Sequence, residues 1–543
     1  MTLYPQNRHS SVYWPEPLES TWQLLGGAGA CELTPKLPHL GLADILFMST
    51  VMHLPRQQRP WGMVTWMAEV FNLSRPSLYA LAERVKERLL AGTEAPRPPL
   101  APIEAWRIEV TANRLKRTVL TASLPGKTAI RPLRHVLREA FDQTQSIGWV
   151  SHLLAEAGQK AGHILRQVDA SPLGTVIVAR DETFCQGLPL LLVIDPVSST
   201  ILLAEVCTDR QADTWGAALL LTQERGVTIG GIVEDMARMY QKSQKEAGLK
   251  LAVQKDVWHI QRDGGKVLRE LERAAFRATG QVVKLERQLL AQWDESLFMD
   301  QYIAAVTQEE RLYEQHAAFA EWLGHLADAL ELVDWRSGEI RDPALSGWLL
   351  EETLTAMSHI NHPGVQKWVK TLRRHQKQLL TALDWLAASL LPFGQQLAAV
   401  IQPEEQERFM RTVARHWRLQ QALINGHSSF RQQAQAAEAA LKALIADNEP
   451  RQQMAQALQT LLNAACRTSS MIENINGLLK SFLHNHQAFG HPDTLQLYLN
   501  LFVLWHNMRV YERGKRQGKS PYQWAGIDLG TDDWLTLLGY PAE

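Results

Sequence analysis

Between Thr175 and Gln254 the chain changes character, with short β-branched and apolar runs bounded by turn residues alternating with helical stretches, and this change constrains the fold more than any other feature. Thr175-Val176-Ile177-Val178-Ala179-Arg180 is a β-branched run that ends at Asp181. Leu188 to Ile194 and Ile201 to Cys207 read as two further strands around the turn Asp195-Pro196-Val197-Ser198-Ser199. Ala212 to Arg225 then takes helical spacing through Trp215, Ala218, Leu219 and Thr222. Ile229 to Val233 is a fourth strand ending at Glu234-Asp235, Ala237 to Ala247 a helix, and Leu249 to Gln254 a fifth strand. A strand meander followed by crossover units predicts a mixed sheet flanked by helices.

The flanks are helical. Beyond about Gly265 the chain holds helical character for some two hundred residues, rich in Leu, Ala, Gln and Arg and poor in proline. Ser520-Pro521-Tyr522 reads as the end of the last long helix, with a small cap from Gly526 on. On the other side, Trp61 to Leu89 is helical but interrupted at Asn72-Leu73-Ser74. Met67, Val70 and Phe71 lie on one side of the break, and Leu78, Leu81, Ala82 and Val85 on the other. With Ser74 as N-cap and Pro76 in the first turn, this is a helix-turn-helix pattern in which Arg75, Ser77 and Tyr79 would face a DNA groove. A proline-rich stretch, Pro96 to Pro102, reads as a linker. After it, Ile130 to Phe141 and Ser146 to Ile164 suggest a second such unit.

Charge sharpens the division. The whole chain has a formal net charge of −1, which argues against a uniformly basic nucleic-acid binder. The sum hides an asymmetry: from Arg107 to Arg138, Arg107, Arg114, Lys116, Arg117, Lys127, Arg131, Arg134 and Arg138 face Glu109 alone. A phosphate backbone needs only a local positive face, so Arg114, Lys116, Arg117, Lys127, Arg131 and Arg134 are candidate DNA contacts, with a solvated basic helix as the simpler reading. No apolar run reaches the ~18 residues of a membrane span; Trp385 to Ile401 is interrupted by Pro392, Gly394, Gln395 and Gln396. Met1 to Ser10 is no signal-peptide core, and Cys31, Cys185, Cys207 and Cys466 form no CxxC pair, so a reducing cytoplasm is expected.

Two carboxylates carry the chemistry of the central region. Asp181 ends the first strand and Asp235 follows the fourth; if those strands are neighbours, both acids reach one edge of the sheet. Carboxylates are the hard oxygen donors that Mg²⁺ or Mn²⁺ prefers, and two such ions suit phosphodiester chemistry. A third acidic group is then required from a helix. Either aspartate alone is more often a turn cap than a ligand.

The strand and helix order is that of the ribonuclease H-like fold, and local motifs add a resemblance. Asp181-Glu182-Thr183-Phe184 with Gly187, Pro189 and Val193-Ile194-Asp195 resembles the first catalytic block of DDE transposases. Asp209-Arg210 with Thr214-Trp215 resembles the start of their first helix, and Val233-Glu234-Asp235 their second block. Gln254-Lys255-Asp256-Val257-Trp258-His259 resembles the strand-end block of families with a (C/D)xxH motif, among them Mutator-like and hAT-like elements. Thr468 to Leu479 resembles the helix bearing the last glutamate, and Leu504 to Arg509, Gly514-Lys515-Arg516 and Ser520-Pro521-Tyr522 resemble the ending of bacterial insertion-sequence transposases.

The resemblance implies a metal-binding triad of Asp181, Asp235 and Glu473 holding two Mg²⁺ or Mn²⁺ ions, with Asp256 and His259 beside it. More than two hundred residues separate Asp235 from Glu473, which matches the all-helical insertion of hAT-like members. In those relatives an aromatic of the insertion stacks on an extruded base; the insertion here holds Trp293, Trp322, Trp335, Trp348, Trp368, Trp385 and Trp417, and helical tryptophans are mostly core. The expected organisation is a helix-turn-helix domain at 1–92, a linker at 93–106 and a basic helical unit at 107–170. An α/β ribonuclease H-like core follows at 171–264 and 466–543, interrupted by an all-α insertion at 265–465. The expected function is transposition, by cleavage and strand transfer of double-stranded DNA in a homodimer or larger synaptic assembly, away from membranes. A silent transposase-derived DNA-binding regulator and a structure-selective nuclease on the same fold are the alternatives.

Overall fold

A computed structural model of the chain describes residues 40–55, 58–59, 62–93, 109–291, 296–446, 448–486, 489–514 and 516–542. Trp61, the proline-rich stretch 96–102, Arg107, Trp293 and Lys515 lie outside the described residues. The chain divides into two units, Met1–Glu109 and Val110–Glu543.

In the first unit, helices α1 (Leu42–His53), α2 (Met63–Val70) and α3 (Arg75–Thr93) share one core. Met67, Leu78, Leu81, Ala82 and Val85 are buried as the periodicity demands, while Val70 is an exposed exception. The turn between α2 and α3 works through Asn72, whose φ of 52° is a left-handed conformation that asparagine tolerates. Ser74 then caps α3 by accepting the Ser77 amide, 3.2 Å. Helix α1, which packs against α3, was not legible as part of the pattern.

The second unit is built on a five-stranded mixed sheet of order β3-β2-β1-β4-β5. Its strands are β1 (Thr175–Cys185), β2 (Leu188–Asp195), β3 (Thr200–Val206), β4 (Thr228–Glu234) and β5 (Ala252–Lys255). β1, β2 and β3 are antiparallel neighbours, and β4 and β5 join in parallel through crossover helices α7 (Ala212–Glu224) and α8 (Arg238–Glu246). Leu190 to Ile194 of β2 are fully buried, so this strand is covered on both faces. Helices α4 (Ala112–Ser123), α5 (Ile130–Phe141) and α6 (Ile147–Gln167) bury Leu120, Leu133, Leu154 and Ala161 in the same cluster as the sheet. Gly158 of α6 lies so close to the Leu497 carbonyl that an added Cβ would stand 2.2 Å from it.

Between β5 and the C-terminal elements, the chain runs through α9 (Val257–Leu290), α10 (Ser296–Ala329), α11 (Pro343–Ser358), α12 (Pro363–Arg374), α13 (Gln376–Leu379), α14 (Thr381–Val400), α15 (Pro403–Ile424), α16 (Arg431–Ile445) and α17 (Glu449–Ala464). Two of its tryptophans are packing devices. A Cβ on Gly231 of β4 would meet the Trp385 ring at 2.3 Å, and one on Gly264 would meet Trp368 at 2.9 Å.

The chain then returns to the sheet through α18 (Ser470–His484) and α19 (Pro492–Met508). Both sheet edges are sealed, which removes unpaired strand groups that would otherwise recruit another chain. On β3, Asn507 of α19 donates to the Ile201 carbonyl at 3.0 Å and accepts its amide at 2.9 Å, while Gln496 accepts the Val206 amide at 2.7 Å. On β5, Thr381 donates to the Val253 carbonyl, 2.8 Å, and Gln254 accepts the Ala382 amide, 2.7 Å. Ser520 does not end the long helix, which stops at Met508; it opens the short α20 (Pro521–Ala525) through a capping box with Gln523. The described residues contain no helix long and apolar enough to cross a membrane.

Candidate active site

Strand register brings the two aspartates together. Ala179 pairs with Val233 across the parallel β1–β4 ladder, so two residues further on Asp181, inside β1, and Asp235, just past the end of β4, reach the same level. β1 does not end at Asp181 as expected but runs to Cys185, because its second half continues the antiparallel ladder with β2. Alternation sends the intervening residues elsewhere. Arg180 and Glu182 turn to the face covered by α8, and Asp181 turns to the face covered by α18.

On the α18 face, Asn476 donates to Asp181 Oδ2 at 2.8 Å. Glu473 sits one turn earlier on that helix, partly exposed, with His259 Nε2 3.3 Å from its Oε1. Asp235 Oδ1 accepts the Ala237 amide at 2.7 Å, a turn-forming bond that occupies one of its oxygens. Burial pushes the Asp181 carboxyl up to about 8, and the charges of Glu473, Glu182 and Asp235 add to the rise. The Asp235 carboxyl is also raised, chiefly by burial, against the opposing Ala237 hydrogen bond. Among the described residues neither aspartate forms an ion pair with a Lys or Arg. The acids therefore repel one another, and Lys255 and His259 offset this only in part at Asp235.

Beneath them on the α8 face lies a buried charge network. Glu234 accepts from Arg180 at 2.5 Å and from Lys255 Nζ at 2.8 Å, all three side chains being excluded from solvent. Lys255 also donates to the Asp235 carbonyl, 2.8 Å, which fixes the backbone at the strand end. Glu182 is held by Tyr240, 2.5 Å, and Arg210, 2.5 Å. Neither Glu182 nor Glu234 competes with the aspartates for the α18 face.

Asp256 has a different place from His259. Its Oδ1 accepts the amides of Trp258 and His259, 2.7 and 3.2 Å, as the N-cap of α9. Its Oδ2 accepts the Ser469 amide at 3.0 Å and the Ser469 hydroxyl. Both oxygens join the start of α9 to the start of α18, and Oδ2 also lies 3.7 Å from the His259 Nε2 that reaches Glu473, so Asp256 positions both. The Val257 amide reinforces the joint by donating to the Arg467 carbonyl, 3.1 Å.

Asp181, Asp235 and Glu473 supply oxygen donors of the kind a hard divalent cation takes, and their mutual repulsion is what such a cation would relieve. As they stand, the described residues contain no group of three or more His, Cys, Asp or Glu side chains close enough to ligate one ion. The donor chemistry fits Mg²⁺ or Mn²⁺.

The expected DNA contacts separate by environment. Arg75 and Tyr79 are exposed on α3, Arg75 donating to Thr65 at 2.8 Å, and Ser77 is half-buried at the cap. Arg131 and Arg134 are exposed on α5, Arg134 donating to the Gln145 carbonyl at 3.0 Å. Arg114 is exposed on α4. Arg117 is turned inward, paired with Asp533 at 2.8 Å and donating to the Tyr540 carbonyl, and Lys116 sits 5.8 Å from the Tyr540 ring. Arg117 thus holds the C-terminal cap, and Lys116 is half-buried beside it. Lys127 is exposed, and its carbonyl accepts from Asn485 at 2.6 Å. Sequence reasoning missed Asn476, Ser469, Lys255 and Tyr240; only Asn476 carried a signal, lying three residues after Glu473 on one helix face.

No family model matches the chain, and no curated protein sequence does. Among solved structures, the Drosophila P element transposase strand transfer complex is similar with a TM-score of 0.31 and 11% identity, over 78% of this chain and 97% of that one. A likeness at that level is too loose to transfer roles between residues, so the roles here rest on this chain's own geometry.

Proposed function

We propose that the chain is a DDE-type DNA transposase on a ribonuclease H-like core, binding the ends of a mobile element and carrying out strand cleavage and strand transfer. The observation that supports this most is the level placement of Asp181 and Asp235 on adjacent parallel strands, with Glu473 facing them from α18. Asp181, Asp235 and Glu473 would hold Mg²⁺ or Mn²⁺, which when bound supplies charge neutralisation at the scissile phosphate and a more acidic attacking water. The chain's own groups do the positioning. Asn476 fixes the rotation of the Asp181 carboxylate, and His259 Nε2 holds Glu473 Oε1 against the site. Asp256 keeps those two helices in register.

The reaction is hydrolysis of one strand at an element end, followed by attack of the freed 3′-hydroxyl on target DNA. The exposed Arg75 and Tyr79 of α3, with Arg114, Arg131 and Arg134, would contact the terminal repeats. Handling two ends together calls for a homodimer or larger assembly. The test is Mn²⁺-dependent cleavage and joining of DNA that carries the native flanking repeats. Asp181→Asn and Glu473→Gln should lose both steps while binding is unchanged; full activity in either variant refutes the assignment.

A further inference from the structure

A cavity of about 630 Å³ opens beside the joint between α9 and α18, and none of Asp181, Asp235 and Glu473 lines it. Its walls come from the β2–β3 turn at Pro196 and Val197, the first turn of α9, part of α15, and the segment that leads into α18.

The charges around it do not balance. Arg418, Arg467 and Arg516 line the cavity against one lining carboxylate, Glu331. Glu331 accepts from Arg418 at 3.1 Å and from Arg467 at 3.0 Å. Asp195, whose charge also reaches Arg516, is taken up by the Val197 and Ser198 amides and the Ser198 hydroxyl. Three guanidiniums against two carboxylates leave one positive charge over.

Two guanidinium nitrogens are unspent as well. Arg418 Nε is shut off from solvent and has no hydrogen-bond partner among the described residues. Arg516 is only 6% exposed; its Nε and Nη2 donate to the Val197 and Pro196 carbonyls at 2.8 and 2.7 Å, and its Nη1 makes no hydrogen bond among the described residues. A buried donor left open costs free energy that a ligand oxygen recovers. The start of α18 adds donors of its own. Ser470 and Met471, the first two residues of that 15-residue helix, line the cavity, and amides at this position have no acceptor inside a helix. Thr468 Oγ1 and Ser470 Oγ are 3.0 Å apart, so one hydroxyl proton of the pair is free for another acceptor.

We infer that this cavity is a binding site for a small free oxyanion of phosphate type, inorganic or carried on a small organic molecule. Its oxygens accept from Arg516 Nη1, the Ser470 and Met471 amides and the Thr468–Ser470 hydroxyl pair, with Arg418 adding to the positive field. A phosphate within a duplex is the wrong occupant, because its neighbours along the strand hold it at the protein surface, out of reach of an arginine this deeply buried. The bound anion ties Arg516 to the start of α18, one turn before Glu473, and so steadies the helix that presents that carboxylate. The site does not depend on the proposed reaction and stands equally in a chain that cleaves no DNA.

The test titrates the full chain with inorganic phosphate by isothermal titration calorimetry, in EDTA and with ionic strength held constant by sodium chloride. Saturable binding at one site per chain is expected, and phosphate should slow hydrogen exchange at the Ser470 and Met471 amides but not at the start of α11. Arg516→Lys and Arg418→Met should each weaken binding at least ~10-fold. Arg374→Gln and Lys377→Gln, exposed bases of the insertion outside the cavity, should leave it unchanged. Circular dichroism checks the folding of each variant, and if an arginine variant does not fold, the exchange result on the wild-type chain decides. No saturable binding by the wild type, unslowed exchange at Ser470 and Met471, or unchanged affinity in both arginine variants would overturn the inference. Displacement of phosphate by a duplex oligonucleotide whose own affinity falls in Arg516→Lys would give the cavity to DNA and overturn it too.

Discussion

Asp181→Asn should make the metal-free protein more stable while removing its proposed activity. In the folded state burial and the charges of Glu473, Glu182 and Asp235 raise the carboxyl from 3.8 to about 8. The folded chain thus binds this proton more tightly than the unfolded chain, and ionisation costs stability. The cost is absent below pH ~4, grows between pH 4 and 8, and is complete above 8. At ~1.36 kcal/mol for each tenfold change in proton affinity its ceiling is roughly 6 kcal/mol. Water entering the partly exposed site would reduce it, so a gain of at least ~2 kcal/mol is expected at pH 8.5. Asparagine keeps the oxygen that accepts from Asn476, so packing is unchanged. Denaturant midpoints of both proteins, measured in EDTA at pH 4, 6 and 8.5, should nearly coincide at pH 4 and separate progressively as pH rises. Adding Mn²⁺ at pH 8.5 should then raise the wild-type midpoint and leave that of Asp181→Asn in place. A variant whose midpoint tracks the wild type at every pH would show that Asp181 carries no buried repulsion, and the electrostatic account of the site would fall.

Three further expectations concern the scaffold. Glu234→Gln leaves Arg180 and Lys255 buried without their anion, and should destabilise the fold by about 3–5 kcal/mol in equilibrium unfolding. Asp256→Ala removes a helix cap worth ~0.5–2 kcal/mol and the tie to Ser469; hydrogen exchange should quicken at the start of both α9 and α18, and an effect confined to α9 would refute its joining role. Asn507→Ala strips both partners from the Ile201 backbone and should cost roughly 2–4 kcal/mol, with added self-association visible by light scattering.

The sheet was readable because strands have a period of two, although β1 runs past Asp181 to Cys185 where the sequence suggested an end. Thr175 to Arg180 places Asp181 on one face and Arg180 and Glu182 on the other, whatever packs against them. The helix-turn-helix pattern was readable for a similar reason: Ser74 caps locally, and Leu78, Leu81, Ala82 and Val85 recur at helical spacing. Val70 escaped its expected burial because periodicity names a face without saying where the neighbouring helix ends. Arg117 shows the limit for charges. Its place in a basic run suggested phosphate contact, yet its partner Asp533 stands 416 residues away in sequence.

By itself, then, the sequence determined what local stereochemistry governs: strand order, helix caps, the faces of Asp181 and Glu473, and the basic character of residues 107–138. Only the tertiary structure decided which of those groups meet. The union of Asp256 with Ser469 across 213 residues, the sealing of β3 by Asn507, the burial of Arg180 and Lys255 around Glu234, and the cavity at the start of α18 all depend on elements distant in the chain. A hydrogen bond or ion pair of that kind forms when packing has already brought its partners within a few ångströms, and no periodicity in either partner's own segment records it.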